Sequence, residues 1–189
     1  MQALQQYIKT YFDLKANDLA ILASLFITEK LSKGEYYLKT GSYDSKLSFI
    51  KTGHLRIFDY TDAKDITQWI SSPGDFITDL QCLVFQGPAR KNVQAISDCE
   101  LFTITKTNYQ RLPDIIPQWH EIEKIFIAKC FMTLEDRVFG FLSLSAEERF
   151  QRLFDYKREL FNQVPLHQIA SMLGISPETL SRIRKNLNS

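Results

Sequence analysis

The order of hydrophobic and polar positions divides the chain into a short helical start, a central region of short strands and a long helical remainder. Between Gln2 and Phe26 the apolar residues recur at intervals of three and four, which predicts two helices. Asn17 is a suitable N-cap for the second helix. From about Thr28 to Thr105, glycines separate short apolar runs, a pattern typical of a sandwich or roll of the jelly-roll kind that the helices would flank.

The central region contains several runs that are predicted to be strands. They are Tyr36–Lys39, Leu47–Lys51, Leu55–Tyr60, Thr67–Ile70, Asn92–Ile96 and Glu100–Thr105. In the last run, Leu101 and Thr103 alternate with Phe102 and Ile104. This alternation predicts a strand with one buried face.

After Pro117 the periodicity is helical and predicts one helix long enough to span about 30 Å. Its broad side would carry Trp119, Ile122, Ile125, Phe126, Lys129, Met132, Val138 and Phe141. Such a stripe fits either a dimer interface or packing on the roll, and the pattern leaves both open. Ser145 and Glu148 then have the spacing of a capping box. The helix that this box opens is predicted to include Phe150, Leu153, Phe154 and Leu160.

The segment from Leu166 to Leu187 predicts two helices joined by a tight turn. Gly174 can take the left-handed conformation that ends the first helix, and Ser176 can cap the second, with Pro177 at its first position. The predicted inner sides are apolar and consist of Ile169, Ala170 and Leu173 in the first helix and Leu180, Ile183 and Leu187 in the second.

The outer side of the second helix presents Glu178, Ser181, Arg182 and Lys185. Arginine can bind guanine O6 and N7, glutamate can accept from cytosine N4, and serine and lysine can contact bases or phosphates. The segment is therefore interpreted as a DNA-binding helix-turn-helix. The alternative interpretation is a small helical hairpin with a solvated charged face.

The composition mainly excludes certain classes of protein. The chain has 189 residues, 44% of them hydrophobic and 24% charged, and a formal net charge of +1, so a nucleic-acid surface would have to be local. Cys82, Cys99 and Cys130 have no spacing of a disulfide framework or a CxxC metal site. The N-terminus lacks the apolar core of a signal peptide, and no apolar run approaches the ~18 residues of a membrane span. We expect a cytoplasmic protein without a membrane partner.

These residues resemble the Crp-Fnr family of bacterial transcription regulators. In the C-terminal segment the resemblance is carried by Ile169-Ala170, Leu173-Gly174-Ile175-Ser176 and Glu178-Thr179-Leu180-Ser181-Arg182-Ile183. Upstream it is carried by Lys33-Gly34-Glu35, Gly41, the run from Leu47 to Ile57 and Pro73-Gly74-Asp75-Phe76, which follow the cyclic-nucleotide-binding β-roll pattern. It covers nearly the whole chain.

The resemblance implies an α+β fold. Residues 1–116 would form a jelly-roll-like β-roll sensor domain flanked by helices, residues 117–143 a long dimerisation helix, and residues 144–189 a helical helix-turn-helix DNA-binding domain without a C-terminal wing. It further implies a regulator rather than an enzyme, which binds a two-fold site in double-stranded DNA as a homodimer. A small-molecule effector and RNA polymerase are its further expected partners.

By the same resemblance, Glu178, Ser181 and Arg182 would read bases, while Ser176 and Thr179 would contact the DNA backbone. Pro177 stands where some members carry a further base-reading arginine, so a different half-site is expected.

The nucleotide-binding motif departs from the family pattern. Members that bind cyclic nucleotides carry a Gly-Glu-Leu turn, but this chain has Thr78-Asp79-Leu80, with Asp79 in place of the glutamate that holds the ribose. Arg90 is one position out of register with the family's phosphate-binding arginine, and a Thr-Ser pair of the long helix is reduced to Thr133. The candidate effector-binding residues are Asp79, Leu80, Arg90, Lys91 and Thr133. The effector is expected to be something other than a cyclic nucleotide, which stays the alternative, and no other cofactor is predicted.

Three other classes of protein fit the residues less well. Redox-sensing members use clustered N-terminal cysteines, and none precedes Cys82. A haem sensor or a cupin-like enzyme needs well-placed histidines, and of His54, His120 and His167 only His54 lies in the predicted roll. No catalytic or metal-binding residue is therefore predicted. The main alternative is a ligand-binding or protein-interaction module whose helix-turn-helix does not bind DNA.

Overall fold

A computed structural model describes residues 2–62 and 64–187, the last without its side chain. The strands are β1 (Ile27–Leu31), β2 (Tyr36–Leu38), β3 (Lys46–Thr52), β4 (Leu55–Tyr60), β5 (Asp65–Ser71), β6 (Phe76–Ile77), β7 (Asn92–Ala95) and β8 (Cys99–Thr105). The helices are α1 (Gln2–Tyr11), α2 (Ala16–Ser24), α3 (Leu80–Leu83), α4 (Lys106–Gln110), α5 (Leu112–Ile115), α6 (Trp119–Ser143), α7 (Ala146–Tyr156), α8 (Leu160–Gln163), α9 (Leu166–Leu173) and α10 (Pro177–Leu187).

The strands form two four-stranded sheets, with the orders β1-β8-β3-β6 and β2-β7-β4-β5. In the first sheet β8 pairs antiparallel with both β1 and β3. Ser48 and Thr103 are opposite each other in this register, and their hydroxyl oxygens lie 2.7 Å apart in the buried interior. The predicted α+β fold with a β-roll between helices is confirmed.

The chain divides into two compact units. The first comprises the residues up to Ile57 together with Ser71–Cys130. The second comprises Phe58–Ile70 and the residues from Phe131 onward. The functional boundaries at residues 116 and 143 stay a prediction.

Two apolar clusters stabilise the first unit, and β8 contributes to both. Ile104 packs with the buried residues of α1, α2 and the start of α6, whereas Leu101 packs inside the roll. The predicted alternation holds from Cys99 to Thr103, where every second residue is buried, but Ile104 on the other face is buried too, because helices cover it. Phe12, directly after α1, stacks on Trp119 and Phe126, with ring centroids 5.4 and 4.7 Å away.

Several local predictions need correction. Asn17 lies inside α2, whose N-cap is Lys15 without a side-chain hydrogen bond. Strands β1 and β6 were not predicted, because the three central residues of β1 are polar and β6 has only two residues. The helix opened by the Ser145 capping box ends at Tyr156, and Leu160 begins α8.

Helix α6 buries only part of its predicted stripe. Trp119 and Phe126 are buried, but Met132, Val138 and Phe141 are exposed, as are Ile125 and Lys129. The residues of the predicted stripe are therefore not all buried, because only the first part of the helix packs into the aromatic core. A second apolar series is exposed at helical spacing and consists of Ile127, Phe131, Leu134, Val138 and Leu142. We call these five residues the exposed stripe.

The second unit is built around an aromatic cluster on α7 and α8. Phe150 lies 5.6 Å from Phe154 and 5.0 Å from Phe161, measured between ring centroids. The main-chain N–H of Thr67 on β5 donates to Ser171 Oγ of α9 over 2.9 Å. This hydrogen bond ties β5 to the first helix of the predicted helix-turn-helix. Nowhere in the described chain is a helix both long and apolar enough to cross a membrane.

Candidate nucleic-acid interface

A left-handed glycine joins α9 to α10. Gly174 has φ 67° and ψ 35°, and its N–H donates to Ser171 O over 3.0 Å. The N–H of Ile175 donates to Ala170 O, also over 3.0 Å, which completes a Schellman motif. A Cβ at Gly174 would lie 3.0 Å from Phe141 Cε1. The left-handed conformation was predicted, and the close approach of Phe141 also favours glycine here.

Helix α10 begins with the predicted cap. Ser176 Oγ accepts a hydrogen bond from the N–H of Thr179 over 3.2 Å, and Pro177 is the first helical residue. Proline suits this position because the first N–H of a helix has no partner within the helix. The cap sets where the second helix starts relative to the turn.

The inner sides of the two helices pack as predicted. Ile169, Ala170 and Leu173 of α9 are buried, as are Leu180 and Ile183 of α10. The predicted contribution of Leu187 lies outside the described residues, because its side chain is not described.

Two arginines that the sequence reasoning missed hold the end of α9. Arg137 Nη2 donates to Met172 O over 3.0 Å, and Arg149 Nε donates to Leu173 O over 3.1 Å. Charged donors on the last carbonyls of a helix stabilise that end. No periodic or motif signal marks either arginine, because each bond joins residues far apart in the chain.

The outer side of α10 is polar and exposed. Its exposed side chains are Glu178, Ser181, Arg182 and Lys185, while Thr179 is half-buried and Ser176 is exposed at the cap. Glu178's own main-chain N–H and the Ser176 hydroxyl lower the pKa of its carboxyl, so this side chain is charged at neutral pH. The face thus offers a carboxylate acceptor near its N-terminal end and cationic donors beyond it.

Known proteins share this architecture. Residues 28–114 match the family model of the cyclic nucleotide-binding domain. FixK2 from Bradyrhizobium japonicum is 20% identical, with a TM-score of 0.73 over 86% of this chain and 84% of that one. The Catabolite Activator Protein of Thermus thermophilus is 21% identical, with a TM-score of 0.57 over 93% and 84%. The chain has the fold of the Crp-Fnr family.

A further protein with the Crp-Fnr fold is CLP of Xanthomonas campestris, described as a c-di-GMP responsive global regulator. It is 16% identical, with a TM-score of 0.64 over 92% of each chain. A comparison of the sequence with curated proteins gave no significant match.

Within this Crp-Fnr fold, the Asp79 carboxylate accepts hydrogen bonds from main-chain N–H groups of α3 and of the segment after α3. Asp79 Oδ1 accepts from the N–H of Cys82 and thereby caps α3, over 3.0 Å. Asp79 Oδ2 accepts from the N–H of Arg90 over 3.1 Å. The carboxylate thus brings the two predicted effector segments together through the main chain.

The other candidate effector residues differ in their surroundings. Leu80 and the Arg90 side chain are exposed, and Lys91 is half-buried. Thr133 lies on α6 in the second unit and is exposed. Their role in effector binding stays a prediction.

The histidines lie apart from one another in the sequence and differ in exposure. His54 is buried in the turn between β3 and β4, whereas His120 and His167 are exposed. Among residues 2–62 and 64–187, no three side chains of the His, Cys, Asp or Glu type come together as metal ligands.

Proposed function

We propose that the protein is a sequence-specific DNA-binding transcription regulator that acts as a homodimer. The observation that carries this proposal is the geometry of α9, Gly174 and α10, in which a capped helix exposes Glu178 and Arg182 while Leu180 and Ile183 anchor it. Such an arrangement places the second helix of a helix-turn-helix in the major groove. The fold of known regulators supports this proposal.

Each exposed group of α10 has a chemical role in this proposal. Glu178 accepts from cytosine N4, and Arg182 donates to guanine O6 and N7. Ser181 and Lys185 contact bases or phosphates, and Ser176 and Thr179 bind the sugar-phosphate backbone beside the cap.

The exposed stripe supports the homodimer. Phe131, Leu134, Val138 and Leu142 recur at intervals of three and four and are 51–82% exposed. An apolar series at this spacing packs against its own copy in a coiled coil. A two-fold dimer would then present two recognition helices to half-sites about 34 Å apart.

The β-roll is proposed to sense a small molecule other than a cyclic nucleotide. Binding of this effector would shift the dimer between states of different DNA affinity. Thr78 replaces the glycine of the nucleotide-binding turn, and its hydroxyl donates to Lys46 O over 2.9 Å. Residues 1–116, 117–143 and 144–189 would act as sensor, dimerisation helix and DNA-binding domain. RNA polymerase is the proposed further partner at the promoter.

The test is selection of bound sequences from a randomised duplex library at near-physiological salt. We expect a palindrome with half-sites one helical turn apart. The variant that combines Glu178→Ala with Arg182→Ala should lose this enrichment, whereas Arg158→Ala, on an exposed residue outside α10, should retain it. Recovery of no preferred sequence, with or without cyclic nucleotides and cell extract, would favour a module that does not bind DNA.

A further inference from the structure

The second unit contains a cavity of about 450 Å³. It lies between β5, the last turns of α6, α7 and α9, and none of its lining residues belongs to α10. Its apolar lining includes Trp69, Phe141, Leu153 and Met172. A cavity of this size and lining suits a small organic molecule with an apolar body.

Three guanidinium groups also line the cavity, those of Arg137, Arg149 and Arg152. Arg137 and Arg149 donate hydrogen bonds to neutral main-chain carbonyls. Arg137 Cζ lies 4.7 Å from the Trp69 ring centroid. Asp136 lines the cavity as well. In the part of the chain that the structure describes, no carboxylate forms a salt bridge with any of the three arginines, although the charge of Arg152 contributes to lowering the pKa of Glu148 on the same helix.

Of these three arginines, Arg137 is the one whose burial is deep enough to shift its pKa. Burial lowers the pKa of its guanidinium, which nevertheless stays charged at neutral pH. A cation that loses water without gaining a carboxylate attracts an anion into its surroundings. The charge of the cavity therefore favours an anionic occupant over a neutral one.

Arg152 is the group best placed to receive that anion. Its side chain is exposed, and among the described residues it makes no hydrogen bond. Its Nη1 lies 4.0 Å from the position that a Cβ on Gly140 would occupy, so it faces the same space as this glycine. A planar guanidinium with unused donors binds carboxylate or phosphate bidentately.

Gly140 is a second feature that points to a ligand. It is a helical residue of α6 whose φ is not positive, and a Cβ there would meet only Leu144 Cδ1, at 3.7 Å, and Arg152. Glycine weakens a helix relative to alanine, and neither its conformation nor close packing requires it here. Its missing side chain leaves space in the cavity wall beside Arg152.

We infer that this cavity binds a small organic anion with an aromatic or otherwise apolar body. The anionic group of this ligand binds Arg152, and its apolar body packs on Trp69 and Phe141. This site belongs to the second unit and is separate from the effector residues proposed in the β-roll. The inference goes beyond the proposed function, and its test uses no DNA.

Isothermal titration of the full chain with three naphthyl probes tests the inference. Naphthoate and naphthyl phosphate supply the two anionic groups, and naphthalenemethanol supplies the same ring without charge. At least one anion should bind about tenfold more tightly than the alcohol, the amount expected for a charge-assisted pair. The difference between the two anions identifies the headgroup that the cavity prefers.

Matched variants connect this binding to the cavity. Arg152→Gln should remove the advantage of the anion over the alcohol, while Arg158→Gln, also exposed but outside the cavity lining, should leave it unchanged. Gly140→Leu should abolish binding of all three probes by filling the space. Because that variant could disturb α6, its helicity and unfolding are compared with those of Gly140→Ala.

Three outcomes would overturn the inference. They are the absence of binding, equal affinity for the anions and the alcohol, and anion binding that Arg152→Gln does not weaken. A cavity filled by the second copy in a dimer would give the first outcome. Failure of the DNA selection would leave these titrations unaffected, so the two proposals fail separately.

Discussion

Asp79 Oδ2 accepts a hydrogen bond from the main-chain N–H of Arg90 over 3.1 Å, although the two residues lie on different sides of α3 in the sequence. The other carboxylate oxygen caps α3. We predict that Asp79→Ala lowers the free energy of unfolding by about 1–2 kcal/mol, since a cap and a second main-chain bond are both lost. Urea unfolding measures the change.

The control for this prediction is Asp13→Ala, on an exposed aspartate between α1 and α2. Asp79→Asn should cost less than Asp79→Ala, because the amide keeps one acceptor oxygen. Equal unfolding midpoints for the Asp79→Ala and Asp13→Ala variants would show that the two bonds add no stability.

Two glycines of the second unit should respond to alanine in opposite directions. Gly174→Ala forces a side chain into the left-handed region and against Phe141, and should destabilise by about 1–2 kcal/mol. Gly140→Ala replaces a helical glycine where a Cβ makes ordinary contacts, and should stabilise by about 0.5–1 kcal/mol. Urea unfolding of both variants measures this. A loss of stability in Gly140→Ala would contradict the open space seen beside that residue.

Arg182→Ala should weaken binding to the selected site by about 1–3 kcal/mol and relax the preference at one base position. The reason is that a guanidinium bonded to a base edge discriminates among bases, whereas one bonded to phosphate does not. Titration of a labelled operator and of random duplex at one salt concentration measures both effects. A loss of the same size on random DNA would identify Arg182 as a phosphate contact.

Val138→Glu should convert a dimer into a monomer, because it places a charge in the middle of the exposed stripe. Sedimentation equilibrium gives the molecular mass of the variant in solution. Its affinity for a two-fold DNA site should fall as the dimer is lost. Lys129→Glu alters an exposed residue of the same helix outside the exposed stripe and should leave the mass unchanged. A dimeric Val138→Glu variant would mean that another surface joins the subunits.

The capping box at the start of α7 predicts a pH dependence of stability. Hydrogen bonds from the Ser145 main-chain N–H and hydroxyl lower the pKa of Glu148 below its ordinary value of 4.5. A lowered pKa in the folded state stabilises the protein above pH 4.5, and this contribution is lost as the pH falls through the folded value. Glu148→Gln should therefore be less stable than the parent at neutral pH and approach it in acid.

Urea unfolding at several pH values between neutral and acid tests this. Glu147→Gln, at the neighbouring exposed residue outside the capping box, serves as the matched control. A gap between parent and Glu148→Gln that persists unchanged in acid would contradict the charge-based explanation.

The sequence by itself determined the features whose causes lie within a few residues. The Ser145–Glu148 capping box, the left-handed Gly174 and the Ser176 cap were all predicted, and the structure confirms them. Each depends on side-chain and backbone preferences that act over one helical turn. The same local signals predicted the strands of the roll, apart from β1, whose central residues are polar, and the very short β6.

Only the tertiary structure decided which faces are covered. Periodicity in α6 and β8 shows where apolar residues recur, but burial depends on which elements pack there. Helices also cover Ile104 of β8, and α6 buries only the first part of its stripe. The bonds from Arg137 and Arg149 to the end of α9 span 35 and 24 residues of sequence. The cavity that these arginines line arises from this long-range packing. It could not be predicted from the sequence, because no local pattern encodes the distance between elements that meet only when the chain folds.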